Sequence, residues 1–129
     1  MSLKVKIISR GVSFSSVEQS SFGLSLYCLK KFEIKAKGYI TLKTGICVGF
    51  DEGYYGQVVA DCPPSALITA VGGIIKPNNR SEVEVVLFNL GRKTFTARKG
   101  ERIAQLIVKQ FSNCERKKVR SLYYNLRAL

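Results

Sequence analysis

Apolar residues recur at every second position along this chain, in short runs. Leu3, Val5 and Ile7 alternate with Lys4 and Lys6, and Leu24, Leu26 and Cys28 alternate with Ser25 and Tyr27. Side chains two apart on an extended backbone share a face, so each run predicts a strand with one covered side. Phe32 to Ile34, Tyr39 to Leu42, Gly45 to Phe50 and Tyr55 to Ala60 repeat the signal, separated by Lys-Gly, Lys-Thr-Gly and Asp51-Glu52-Gly53 turns. The Ser-rich piece from Gly11 to Ser21 predicts a loop, and Pro63-Pro64 breaks the chain before Ala66 to Ala70 and Gly73 to Ile75.

The stretch from Glu82 to Val108 organises the rest. Val83, Val85 and Leu87 on one face, with Val86 and Phe88 on the other, predict a strand covered on both sides. Asn89-Leu90-Gly91 turns the chain, Phe95 anchors a short extended piece, Lys99-Gly100-Glu101 turns it again, and Arg102 to Lys109 predicts a further strand. A weak helical signal lies at Cys114 to Leu122. Short strands punctuated by Gly and Pro predict an all-β sandwich or barrel of the jelly-roll kind. With no linker and no internal repeat, residues 1–129 are expected to form a single domain, with a C-terminal arm over about 112–129.

Charge narrows the chemistry. The chain has 129 residues and a formal net charge of +12, which favours an acidic partner such as nucleic acid, nucleotide or an acidic protein face. It contains no histidine, so the commonest general base and zinc ligand are missing, and no metal or cofactor is expected. The four cysteines form no C-x-x-C pair and there is no apolar leader at the N-terminus, which predicts free thiols in a reducing compartment. No apolar run is long enough for a membrane-spanning helix. Cys62, beside Pro63-Pro64, is either a reactive thiolate or an ordinary loop cysteine. Arg116, Lys117, Lys118 and Arg120, followed by Tyr123 and Tyr124, either hold nucleic-acid phosphate or form a solvated edge. Arg127-Ala128-Leu129 carries a weak signal for a peptide-binding domain.

V-V-L-F-N-x-G, a Phe, and then K-G-E-R-I-A-Q-L-I together resemble the third-to-fourth motif region of the trimeric dUTPases, all-β enzymes that hydrolyse dUTP to dUMP and pyrophosphate. The resemblance spans roughly Leu3 to Phe111 and implies a dUTPase-like jelly roll that assembles as a homotrimer. It also implies that the C-terminal arm crosses to a neighbour, with Leu122, Tyr124 and Leu126 lying over the partner's sheet; a strand folded back on its own domain is the alternative.

Matched motif by motif, the chain departs from that family's site. A-G-Y-D-L is met by Phe22-Gly23-Leu24-Ser25-Leu26, with Ser25 at the acidic position. P-R-S-G is met by Ala60-Asp61-Cys62-Pro63, with Asp61 at the cation. G-V-I-D-x-D-Y-x-G is met by Gly73 to Ser81, with Lys76 at the water-activating aspartate and Asn79 at the tyrosine. Arg102-Ile103-Ala104-Gln105 is kept, and no glycine follows Lys109 to form the closing arm. An ammonium cannot take a proton from water at neutral pH. On this matching the resemblance implies no catalytic residue and a non-enzymatic, dUTPase-derived viral protein, acting as virion cement, minor capsid component or host-protein adaptor. Its partners would be viral capsid or host proteins, and its location the virion or the infected-cell nucleus or cytoplasm. The alternatives are a basic binder of nucleotide or nucleic acid, using Arg102, Lys76 and Arg80, and an active dUTP pyrophosphatase.

Overall fold

The computed structural model describes residues 2–12 and 23–123. Eleven strands are present among the described residues: β1 (Lys4–Ile7), β2 (Leu24–Tyr27), β3 (Phe32–Ile34), β4 (Tyr39–Lys43), β5 (Ile46–Gly49), β6 (Tyr54–Ala60), β7 (Ile68–Ala70), β8 (Ile74–Ile75), β9 (Glu84–Asn89), β10 (Phe95–Ala97) and β11 (Arg102–Gln110). The all-β jelly roll expected from the alternation is the observed architecture. The strands make four sheets, ordered β1-β5, β3-β10, β2-β11-β6-β8 and β4-β9-β7. Every pairing is antiparallel.

Strands distant in sequence are neighbours in space, so the fold is closed by long-range pairing. β11 lies between β2 and β6, and β9 lies between β4 and β7. Val83, Val85 and Leu87 are buried, while Val86 and Phe88 are half-buried. One face of β9 therefore belongs to the core and the other is covered only in part. The core cluster joins residues of several sheets, among them Leu26, Ile34, Val58, Leu87, Ile103 and Leu106.

Asn89 is fully buried at the end of β9, and its side chain joins three segments. Its Nδ2 donates to the carbonyls of Ile34 (2.9 Å) and Lys93 (2.8 Å), and its Oδ1 accepts from the Gly91 N–H (2.9 Å). A buried amide with this many partners fixes the turn after β9 against the end of β3. Pro63-Pro64 breaks the chain as expected, and Pro64–Ala66 forms a 3₁₀ turn in place of the anticipated start of a strand.

The helical signal at Cys114 to Leu122 is not realised. Residues 111–123 run without regular structure and are almost wholly exposed. With cations at positions 116, 117, 118 and 120 and no apolar stripe, that segment has no face to bury. No helix among the described residues is long and apolar enough to cross a membrane.

Candidate functional site

Two separate groups of motif residues emerge from the sheets. The first lies where β2, β11 and β6 meet. Between Arg102 and Ala104 the β2–β11 register shifts, so Ile103 is accommodated as a bulge. A bulge re-aims the side chains beside it. Arg102 Nε then reaches Asp61 Oδ2 at 2.7 Å, and Gln105 Nε2 donates to the same oxygen at 2.7 Å. Ser25, buried, sits opposite Gln105 in the register. Gln105 Oε1 is buried and meets no donor among the described residues. The positions matched to the first, second and fourth motifs thus converge on one polar cluster, in which Asp61 already neutralises Arg102.

The second group surrounds β8. Gly73, Ile74, Asn79, Ser81, Glu82 and Glu84 line a cleft of about 280 Å³, closed on one side by Val71 and Val86. Pro77 presets φ for the turn that follows β8. The Asn79 N–H closes that turn on the Lys76 carbonyl at 3.0 Å, and the Asn79 Oδ1 accepts from the Ser81 N–H at 2.7 Å. Lys76 and Arg80 project from this turn and are exposed. Two glutamates are among the residues that line the cleft. Glu82 is tied down, its Oε2 accepting the Gly45 N–H at 2.8 Å, whereas Glu84 is exposed and has no side-chain partner among the described residues. A larger cleft of about 580 Å³ runs along Ile8, Ser9, Tyr27, Lys30 and Lys43 and shares Glu82 with the first.

Lys76, Arg80 and Arg102, expected to act on one anion, do not meet within a chain. Ile75 pairs with Gly56 near the start of β6, while Asp61 follows its end. Lys76 and Asp61 are therefore separated by about six residues of strand, or about 20 Å. Arg116, Lys117, Lys118 and Arg120 lie on the exposed C-terminal segment, with no hydrogen bond or ion pair to either group among the described residues. Leu122 is 78% exposed; Tyr124 and Leu126 fall outside the described residues. No group of three or more His, Cys, Asp or Glu among the described residues could hold a metal ion.

Cys62 is the ordinary cysteine of the two readings. Its thiol pKa is pushed up to about 11 by burial first and by the Asp61 charge second, against a smaller opposing effect of a backbone hydrogen bond. A thiol so shifted stays protonated at neutral pH. Iodoacetamide at pH 8 is expected to label exposed Cys114 and to leave Cys62 intact over the same time, as read by peptide mass spectrometry. The sign for stability follows: the unfolded thiol ionises from about pH 9, the folded one only near 11, so this group weakens the fold as pH rises through that interval.

The family model described as dUTPase matches residues 12–128. Among curated proteins, the deoxyuridine 5'-triphosphate nucleotidohydrolase of Debaryomyces hansenii is 36% identical over 104 residues, covering 77% of this chain and 63% of that protein. The protein of the same name from Wolinella succinogenes is 34% identical over 107 residues, covering 78% of this chain and 70% of its own length. The chain thus spans less than two thirds of the yeast relative. Among solved structures, a dUTPase mutant of Staphylococcus bacteriophage 80alpha with dUpNHpp superposes with a TM-score of 0.80 at 18% identity, over 95% of this chain and 90% of that one.

These matches overturn the expectation of a catalytically silent scaffold. The relatives are named for a nucleotidohydrolase reaction, and nothing in the fold marks a virion-cement, capsid or adaptor role. The third-motif position that would hold an acid-base group carries Lys76, and the carboxylate residues nearest it in the chain are Glu82, just before β9, and Glu84, the first residue of β9. Their place in the chain is the signal: two glutamates at alternate positions entering a core strand, within eight residues of Lys76.

Proposed function

Because this chain belongs to the dUTPase family, matched over residues 12–128, we propose that it hydrolyses dUTP to dUMP and pyrophosphate at the cleft beside β8. The observation that carries the proposal is a carboxylate-bearing cleft at the third-motif turn. Its apolar wall of Val71, Ile74 and Val86 suits the flat faces of a base, and its size suits a nucleoside better than a whole triphosphate. Glu84 takes a proton from water; the water oxygen bonds to the α-phosphorus, the bond from that phosphorus to the bridging oxygen breaks, and pyrophosphate leaves with that oxygen. Lys76 and Arg80, on the rim, meet the triphosphate charge as it redistributes.

A homotrimer belongs to the same proposal. The polar cluster around Gln105 and the cleft around Glu84 are too far apart to act on one nucleotide in one chain, and an interface between copies brings unlike ends together. Exposed Leu67 and Leu90, each about half accessible, supply apolar surface for such an interface. Over 112–123 the arm makes no strand with its own sheets, as expected of a segment that crosses to a neighbour.

The test is a pyrophosphate assay on purified protein with dUTP and magnesium, with dTTP and dCTP as controls and light scattering on the same sample. Turnover of dUTP above the controls by a species of three chains is the expected result. Absence of pyrophosphate at micromolar enzyme, from protein shown to be folded, overturns the proposal.

A further inference from the structure

The two-stranded sheet β3-β10 carries a concentration of charge that the nucleotide cleft does not use. Immediately beyond one end of the paired residues stand Lys30, Lys31, Arg98 and Lys99; beyond the other stand Lys35, Lys37, Arg92 and Lys93. All eight are exposed, and none is in an ion pair among the described residues. The only carboxylates in the same segments are Glu33 and Glu101, so the segments flanking this sheet hold an excess of six positive charges in a chain whose total is +12.

The fold holds both ends in place. At one, the Gly100 N–H donates to the Cys28 carbonyl and the Cys28 N–H to the Glu101 carbonyl, each at 2.8 Å, fastening the Lys99 turn beside Lys30. At the other, Asn89 ties the carbonyl of Ile34 to that of Lys93, and Lys37 Nζ donates to the Leu90 carbonyl at 2.6 Å. Like charges held close together on short, fixed turns repel one another, and a polyanion relieves that repulsion.

We infer that this face binds double-stranded nucleic acid through its phosphates, with the two cation clusters on the phosphate rows either side of a groove. Three paired residues separate the clusters, about 10 Å of strand, comparable to the major-groove width of about 12 Å. Glu33 stands exposed between them. A continuous anionic surface such as a lipid headgroup layer would press on that carboxylate, whereas a groove leaves it between two charged rows. No ring is presented for stacking from these strands: Phe32 is buried, Phe95 is half-buried, and the two pack on each other with centroids 6.2 Å apart. The contact is therefore to backbone, without base sequence.

Fluorescence anisotropy with a labelled 20-base-pair DNA duplex, over a salt series, tests the inference on the full chain. Affinity is expected to fall by about a thousandfold or more between 50 and 200 mM salt, as for six or more phosphate contacts. The variant K31Q/K93Q/R98Q/K99Q is expected to flatten the log–log salt slope by roughly 3 to 4, at about 0.9 per contact, while keeping its thermal midpoint and dUTP turnover. The variant R116Q/K117Q/K118Q/R120Q, on the arm, is expected to leave the slope unchanged. The inference is overturned by no duplex binding at 50 mM salt, by loss with the arm variant and not the face variant, or by binding to phosphatidylserine vesicles without binding to duplex. Because the face variant touches neither cleft nor polar cluster, an absent hydrolytic activity leaves this result readable.

Discussion

Exchange of Glu84 for glutamine is expected to lower dUTP turnover by a factor of about 10² to 10⁴ while nucleotide binding is retained. The substitution keeps the shape of the side chain and removes its capacity to hold a proton. Glu84 is exposed and has no side-chain partner among the described residues, so the change is expected to alter stability by no more than about 0.5 kcal/mol. Glu82→Gln is the informative neighbour. Its Oε2 accepts the Gly45 N–H, a bond the amide oxygen of glutamine can still accept, and the loss of turnover there is expected to be much smaller. Single-turnover rates and dUMP calorimetry on both variants separate chemistry from binding. If Glu84→Gln turns over dUTP at the parent rate, the base is elsewhere and the assignment of the cleft chemistry fails.

How much of this was legible in the chain depends on what a residue's role answers to. Strands were, because alternation is local: Phe32 to Ile34 coincides with β3, and Tyr55 to Ala60 and Arg102 to Lys109 each fall one residue short of β6 and β11. The core stripe of Val83, Val85 and Leu87 was legible for the same reason. The partial exposure of Val86 and Phe88 was not, since it depends on what lies over β9 and not on β9 itself. The site was legible only in half. Motif matching brought out Ser25, Asp61 and Arg102, which the register gathers into one cluster, but it gave Arg102 to an anion when Asp61, recruited from the end of β6, already occupies it. Glu84 was invisible to it altogether, because a carboxylate that reaches a cleft from the next strand matches no motif position. The total charge was legible from composition but its grouping was not: the arm stands out as a contiguous run, while the eight cations about β3-β10 are scattered through four turns and come together only when the strands pair.

The cleft itself rests on a glycine, and Gly73→Ala is expected to destabilise the protein by about 3 kcal/mol or more and to abolish nucleotide binding. Gly73 has φ +85°, a conformation that costs an L-residue roughly 1 to 2 kcal/mol. A Cβ there would also lie 2.5 Å from the Val58 carbonyl oxygen, a backbone atom of a central strand that has nowhere to move. Relief of that clash pushes β8 off β6 and breaks the bond from the Val58 N–H to the Gly73 carbonyl at 2.7 Å, leaving a donor of a buried residue unpaired at about 1 to 3 kcal/mol. Gly72 provides the comparison that isolates the clash. It too has positive φ, +70°, yet a Cβ there meets nothing within 4 Å. Gly72→Ala is thus expected to cost only the conformational part and to keep binding. Thermal midpoints should order parent, Gly72→Ala, Gly73→Ala, with the last about 10 °C or more below the parent for a chain of this size. Equal midpoints for the two variants would mean that β8 is not pinned against β6, and the cleft would then lose the wall on which Glu84 depends.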